Sequence, residues 1–329
     1  MDLEIKNTLR GRAKKSWQAL LEKEGLTPDE NLERVVLLWD GDTLAATGAR
    51  QGNLFKCIAV SSDYQGMDLT ATVLTALRQD AYLSGCERLF LYTKPQNRDY
   101  FQTLFFYPVA SVSQVLLMES PRNGIQDFIS SLPAAPSSGE TGAAVMNCNP
   151  FTKGHRYLIE TAARECSRLY VFVLSEDLSE FTARQRMEMV RRGTEDLHNV
   201  TVLPTGPYLI SSATFPTYFL KNRDQAEDIH CLLDIRIFLK YFVPHFGITR
   251  RYVGTEPFSP MTARYNEILR EALPEQGVQL REIPRLTSEG QPISASAVRA
   301  MLRSGDAEKL SRWLPASTLD CLRQWEAFL

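Results

Sequence analysis

Cysteine and histidine are sparse in this chain. The six cysteines, Cys57, Cys86, Cys148, Cys166, Cys231 and Cys321, include no C-x-x-C pair. That argues against a zinc site or a disulfide framework and predicts reduced, mostly buried thiols. The four histidines are too far apart in sequence to build a dedicated metal cage. No apolar run approaches the roughly 20 residues that cross a bilayer. The opening MDLEIKNTLRGRAKKSW carries cations with no apolar stretch behind them, so no secretory leader is expected. A formal net charge of −2 gives no electrostatic pull towards nucleic acid or an anionic membrane. Walker A, G-x-G-x-x-G, G-x-S-x-G and H-E-x-x-H patterns are missing, which weighs against P-loop, dinucleotide, serine hydrolase and zincin chemistry. The expectation is a cytoplasmic protein without a bound metal of its own.

What is present is 329 residues, enough for two domains. Pro133-Ala-Ala-Pro-Ser-Ser-Gly-Glu-Thr-Gly142 has no apolar period and reads as a linker, so residues 1–131, 132–143 and 144–329 are taken as domain, linker and domain. In the first domain a helix is expected to run to Lys23. Strands follow at 35–39, 43–50 and 54–60, a helix at 69–83, a strand at 89–92, a helix at 97–106 and a final strand at 109–118. This is an α+β arrangement. The second domain alternates: strands at 144–147, 169–174, 200–203, 251–253 and 278–283, with helices at 155–166, 182–194, 224–242, 261–273 and 296–304. Strands separated by helices imply an α/β fold with a parallel sheet covered on both faces. Ligands of such sheets sit at the carboxyl ends of the strands, here just after Asn147, near Leu174 and after Val253.

The strongest motif falls there. Asn147-Cys-Asn-Pro-Phe-Thr-Lys-Gly-His155 runs from a strand straight into a helix. A helix start exposes unpaired N–H groups and the positive dipole end, a ready anion site. Gly154 permits close backbone approach, Thr152 supplies a hydroxyl, and His155 and Lys153 supply donors or positive charge. The bland rival is a capped turn with an incidental histidine. A second element, Ile293-Ser-Ala-Ser-Ala-Val-Arg299, places Ser296 where a helix N-cap belongs, with Arg299 three residues on.

The first run resembles the [T/H]-x-G-H signature of the nucleotidyltransferase superfamily, with Thr152 and His155 in its end positions. The second resembles that superfamily's I-S-S-T-x-x-R element. The resemblance implies that ATP lies against Asn149, Pro150, Phe151, Thr152, Gly154, His155, Ser294, Ser296 and Arg299, for attack at its α-phosphate. It makes His155, Thr152, Lys153 and Arg299 the catalytic set, with Mg²⁺ held mainly by the phosphates. Two runs between the motifs, Tyr208–Leu220 and Val253–Asn266, resemble those of the citrate lyase ligase family. Within them Gly254 is a nucleotide-approach residue or a plain turn glycine, and Glu256 a candidate acceptor for ribose or adenine. Ser211, Ser212 and Thr214 are candidate contacts or helix caps. Arg184 and Arg186 read as part of a solvated face, with phosphate contact as the rival.

The first domain is similar to GNAT acetyltransferases, but Asp68 and Phe105 stand where that family's loops have glycine. We expect a degenerate module that positions a carrier protein. The whole resemblance implies an ATP-dependent ligase that activates acetate as acetyl-AMP and acetylates a thiol. That thiol belongs to the phosphoribosyl-dephospho-CoA group of the citrate lyase acyl-carrier subunit. The alternatives are an adenylyltransferase for phosphopantetheine or nicotinamide mononucleotide, and a non-catalytic ATP-sensing scaffold.

Overall fold

The computed structural model describes residues 1–29, 31–134, 139–176, 179–209, 223–256 and 259–325. The chain forms two compact units, Met1–Asp127 with Phe215–Leu233, and Phe128–Thr214 with Asp234–Leu329.

The first unit begins with β1 (Asp2–Lys6) and α1 (Gly11–Lys23), continues with β2 (Arg34–Asp40), β3 (Thr43–Gln51), β4 (Leu54–Val60), α2 (Leu69–Leu83), β5 (Leu89–Thr93) and α3 (Arg98–Thr103), and ends with β6 (Tyr107–Ser111), β7 (Leu116–Ser120) and the start of α4 (Gly124–Ser131), which belongs to the second unit from Phe128. Its seven strands follow the order β1-β2-β3-β4-β5-β7-β6. The meander is buried on both faces because α1 packs on one and α2 on the other: Leu20 and Leu21 meet Leu37 and Ala49, while Val73 and Leu77 meet Val36 and Ala46. β4 and β5 run parallel and pair only at Leu54–Phe90 and Phe55–Leu91.

Three expectations change here. The N-terminal helix starts at Gly11, because Asp2–Lys6 adds an edge strand antiparallel to β2. The expected strand 109–118 is a hairpin, closed where the Val112 N–H bonds the Val115 carbonyl at 2.8 Å. The expected helix 97–106 is shorter, covering Arg98–Thr103. Asp68 (φ 55°) and Phe105 (φ 62°) both take left-handed backbone, the conformation glycine adopts without strain.

The second unit contains β8 (Thr141–Met146), α5 (Lys153–Glu165), β9 (Arg168–Val173), α6 (Ala183–Arg192) and β10 (Val200–Pro204). Then come α7 (Arg223–Ile237), which belongs to the first unit through Leu233 and to the second from Asp234, α8 (Val243–Phe246), β11 (Arg250–Gly254), α9 (Pro260–Ala272) and β12 (Gln279–Ile283). The small hairpin β13 (Thr287–Ser288) and β14 (Gln291–Pro292) precedes α10 (Ala295–Ser304), α11 (Ala307–Trp313) and α12 (Ala316–Gln324). All five strands of the sheet β10-β9-β8-β11-β12 are parallel. Period-two alternation explains how both faces are covered. Leu169, Val171 and Val173 enter the core beneath α5, α6 and α10–α12. The intervening Tyr170 and Phe172 turn the other way, onto Phe242 and Phe246.

Here too the boundaries move. β8 begins at Thr141 rather than at 144. Gly142 belongs inside the sheet, since a Cβ there would lie 2.6 Å from Cys166 Sγ and 2.8 Å from the Tyr252 ring. The single helix expected at 224–242 is α7 followed by a π-helical turn, Phe238–Phe242. All six cysteines are free thiols, and five of them are buried.

Candidate functional site

From β8 the chain builds β9 and β10 outwards on one side, then crosses back to place β11 and β12 on the other. The switch in strand order therefore lies between β8 and β11, and their carboxyl ends flank a crevice. A cavity of about 260 Å³ occupies it.

The turn after β8 forms one wall. Thr152 is the N-cap of α5: its hydroxyl accepts the His155 N–H at 3.3 Å, and the Thr152 N–H donates to His155 Nδ1 at 3.1 Å. Histidine thus takes the place usually held by Glu or Gln in a reciprocal capping box. Two consequences follow. The N–H groups of Lys153 and Gly154 have no acceptor within the helix and form its exposed positive end. Because Nδ1 accepts a hydrogen bond, the proton of a neutral imidazole resides on Nε2, which becomes a donor. Burial, reinforced by the nearby Arg285 guanidinium, pushes the His155 pKa down to about 4, so the ring is neutral near pH 7.

The opposite wall comes from the segment before α10. Gly154 faces this segment: a Cβ there would make ordinary contact with it, 3.4 Å from the Ile293 carbonyl oxygen and 3.6 Å from Ile293 Cβ. α10 is capped by Ser294, whose Oγ accepts the Ala297 N–H at 3.2 Å. This corrects the expected cap at Ser296. Extended backbone at Ser294 (φ −127°, ψ 144°) ends the loop there, and Ser296 lies exposed in the first helical turn, 3.2 Å from Ser294 Oγ. Gly254 closes β11 at the crevice. Its φ is not positive, so it is no left-handed turn glycine. The Asn266 side chain donates to its carbonyl at 3.0 Å.

Thr152, Gly154, His155, Gly254 and Ser294 therefore share one cavity. Asn149, Pro150, Phe151, Lys153, Glu256, Ser296 and Arg299 are not among its lining residues. Several of these brace the wall instead. Arg299 Nη1 donates to the Asn149 carbonyl at 2.6 Å, tying α10 to the turn after β8, and Asn149 Oδ1 accepts the Phe181 N–H at 3.2 Å. Pro150 and Phe151 are buried; the Phe151 ring stacks on His155, with centroids 6.0 Å apart, and its carbonyl accepts from Thr318. Lys153 Nζ reaches the Ser311 carbonyl on α11 at 3.0 Å. Glu256 accepts the Ser259 N–H at 3.1 Å and is ion-paired with Arg285. The candidates Ser211, Ser212 and Thr214, and most of the run Tyr208–Leu220, lie outside the described residues, as do Pro257 and Phe258.

Arg186 corrects the expectation of a solvated basic face. It is fully buried, and its guanidinium donates to the carbonyls of Phe181 and Asn147, to Asn147 Oδ1 at 2.6 Å, and to the Glu176 carbonyl. It fastens together the loops leaving β8 and β9. Sequence reasoning also missed Arg251, Arg285, Tyr265 and Asn266, all of which line the cavity. Among the described residues no group of three or more His, Cys, Asp and Glu is placed to hold a metal ion.

The site can be compared with known proteins. Residues 141–322 match the family described as the citrate lyase ligase C-terminal domain. The [citrate [pro-3S]-lyase] ligase of Klebsiella pneumoniae is 36% identical over 310 residues, covering 92% of this chain and 91% of the relative. The chain belongs to the citrate lyase ligase family. Another member of the family, from Escherichia coli strain K12, is 37% identical over 92% of this chain and 88% of its own length. A third, from Haemophilus influenzae, is 34% identical over 94% and 95%. Among solved structures, an acyl-CoA N-acyltransferase from Pseudomonas aeruginosa aligns with 37% of this chain and all of its own, at 14% identity and TM-score 0.32. TmcAL from Thermotoga maritima, solved with alpha-thio ATP, aligns with 56% of this chain and 55% of its own, at 16% identity and TM-score 0.33. Within the family's frame, the Thr152–His155 turn, the cavity and Ser294 all lie inside the matched residues 141–322. No helix among the described residues is long and apolar enough to cross a membrane.

Proposed function

We propose that the second unit binds ATP across the starts of α5 and α10 and uses it to activate acetate. One acetate oxygen attacks the α-phosphorus, the bond from that phosphorus to the bridging oxygen breaks, and diphosphate leaves with the electron pair. Acetyl-AMP is the product. The thiol sulfur of the phosphoribosyl-dephospho-CoA group on the citrate lyase acyl-carrier subunit then attacks the acetyl carbonyl. AMP leaves, the thiol proton passes to solvent, and the acetylated carrier makes citrate lyase active. The first unit positions the carrier, and the reaction takes place in the cytoplasm.

The observation that carries this reading is the geometry at Thr152–His155. A helix start and an imidazole Nε2–H stand on one wall of a switch-point cavity, in a chain of this family. No covalent nucleophile is needed. Preorganised donors that meet charge developing on the α-phosphate, together with alignment of the acid, supply the rate. His155 donates through Nε2, and the free N–H groups of Lys153 and Gly154 receive phosphate oxygens. Arg299 acts by holding the Asn149 carbonyl and hence the turn. Lys153 reaches the phosphates only after leaving the Ser311 carbonyl, a side-chain rotation on the surface. Glu256, held by Arg285, remains the candidate acceptor for ribose or adenine at the mouth. Mg²⁺ neutralises charge on the triphosphate when bound; among the described residues no cluster of His, Cys, Asp and Glu is placed to hold it, and phosphates and water would be its ligands.

The test is ATP-dependent hydroxamate formation with acetate, Mg²⁺ and hydroxylamine, run beside a diphosphate assay. Acetyl hydroxamate with stoichiometric diphosphate is expected. Diphosphate released only with phosphopantetheine or nicotinamide mononucleotide would replace this reading with an adenylyltransferase. ATP binding without turnover on any of the three would replace it with a sensor.

A further inference from the structure

One cation in the cavity has no assigned task. Arg251 is on β11, three residues before the strand ends at Gly254, in register with Ala143 of β8. At about 3.3 Å per residue it lies about 10 Å below the strand end. It is 3% exposed and lines the cavity, yet among the described residues its Nε and Nη1 have no hydrogen-bond partner. The groups that act on it are Phe238, whose ring centroid is 4.6 Å from Cζ, and Tyr265 and Asp234. Asp234 is itself engaged, accepting the Tyr265 hydroxyl at 2.6 Å. A buried guanidinium with idle donors is expensive to maintain, and such a group in a cavity marks a place for an anion. Phe238 opens the π-helical turn after α7, an irregularity that is frequent at functional sites.

Resting on the acid-activation reading above, we propose that Arg251 receives the carboxylate of a short monocarboxylic acid at the deep end of this cavity. One carboxylate oxygen takes an idle N–H of Arg251, leaving the other to attack phosphorus. The alternative anion, the triphosphate, already has donors at the mouth, where α5 and α10 begin. Arg251 belongs to neither helix start, being set on β11. The Phe238 ring beside the guanidinium disfavours a second charge there.

The test compares the full-length wild type with R251Q and R251K, the latter keeping the buried charge while losing the planar fork. Acetate binding is read by saturation-transfer NMR, ATP affinity by equilibrium dialysis, and KM from acetate-dependent ATP–diphosphate exchange. The expected result is acetate binding to the wild type that R251Q abolishes, a 10- to 100-fold rise in the KM for acetate on the order of a lost charged hydrogen bond, an intermediate R251K, and ATP affinity within about twofold. No acetate binding to the wild type overturns the proposal, as does unchanged binding in both variants. A loss confined to ATP affinity would assign the guanidinium to the phosphates. Arg251-dependent acetate binding without any adenylate formed would leave this inference standing and overturn the proposed reaction instead. Should R251Q fail to fold, as judged by its thermal melt, R251K decides in the same way.

Discussion

His155→Gln separates the two jobs that this histidine performs. The ring belongs to the reciprocal capping box with Thr152, and we assign its Nε2–H to the α-phosphate. Glutamine is a natural partner for threonine at this position of a helix, so the variant keeps the cap and the helix start. It removes the imidazole donor. Loss of one preorganised donor to a developing oxyanion corresponds to about 10²-fold or more in kcat, or about 2.7 kcal/mol or more. His155→Ala should show the same kinetic loss and an additional stability loss of about 1 kcal/mol, because the reciprocal half of the cap goes too. The assay is diphosphate release at saturating ATP and acetate, with urea unfolding of both variants alongside. Wild-type kcat in both His155→Gln and His155→Ala would remove the ring from the chemistry and leave it as a cap alone, since the glutamine amide keeps an N–H of its own.

Acid should destabilise the ligand-free protein through the same ring. Its folded pKa of about 4 is below the ordinary value near 6.5, so the unfolded chain binds the extra proton between those values. Stability therefore falls as pH drops from 6.5 to 4, by up to about 3 kcal/mol, and His155→Gln should lose that part of the slope in urea titrations at a series of pH values. Bound ATP, being anionic, should raise the ring's pKa and flatten the slope in the wild type. Arg186→Met should be severe, at about 3 kcal/mol or more, because the carbonyls of Asn147, Glu176 and Phe181 lose their shared donor; a Tm unchanged from wild type would contradict the bracing role. Ser294→Ala should lose about 1 kcal/mol of stability and Ser296→Ala almost none, a contrast that thermal unfolding resolves directly.

The turn that carries the Thr152–His155 cap was legible in the sequence because local rules coincide there. A buried strand, a capping threonine and a small residue follow in nine positions. The alternation of strands and helices likewise announced a parallel sheet. Other boundaries failed for physical reasons. The β6–β7 turn has no glycine or proline to signal it. Gly142 read as linker because its smallness answers to Cys166 and Tyr252, neighbours distant in sequence. Ser294 and Ser296 both suit a helix cap, and only the backbone at Ser294 decides between them. Arg186 and Arg251 were the hardest to see. A cation in a helix or strand normally faces solvent, and nothing local distinguishes one that tertiary packing has enclosed.

The place of β8 in the middle of its sheet also sets when a working site can exist. Its partner β11 follows after more than a hundred intervening residues, and the α10 wall comes later still. None of the contacts that close the cavity is local, so each waits on loop closure over long stretches of chain. During synthesis, a chain halted before Ser294 has the Thr152–His155 turn but not the wall opposite it. Nucleotide binding should consequently appear abruptly, near completion of the polypeptide, and an ATP analogue added to ribosome-stalled chains of graded length would time the event.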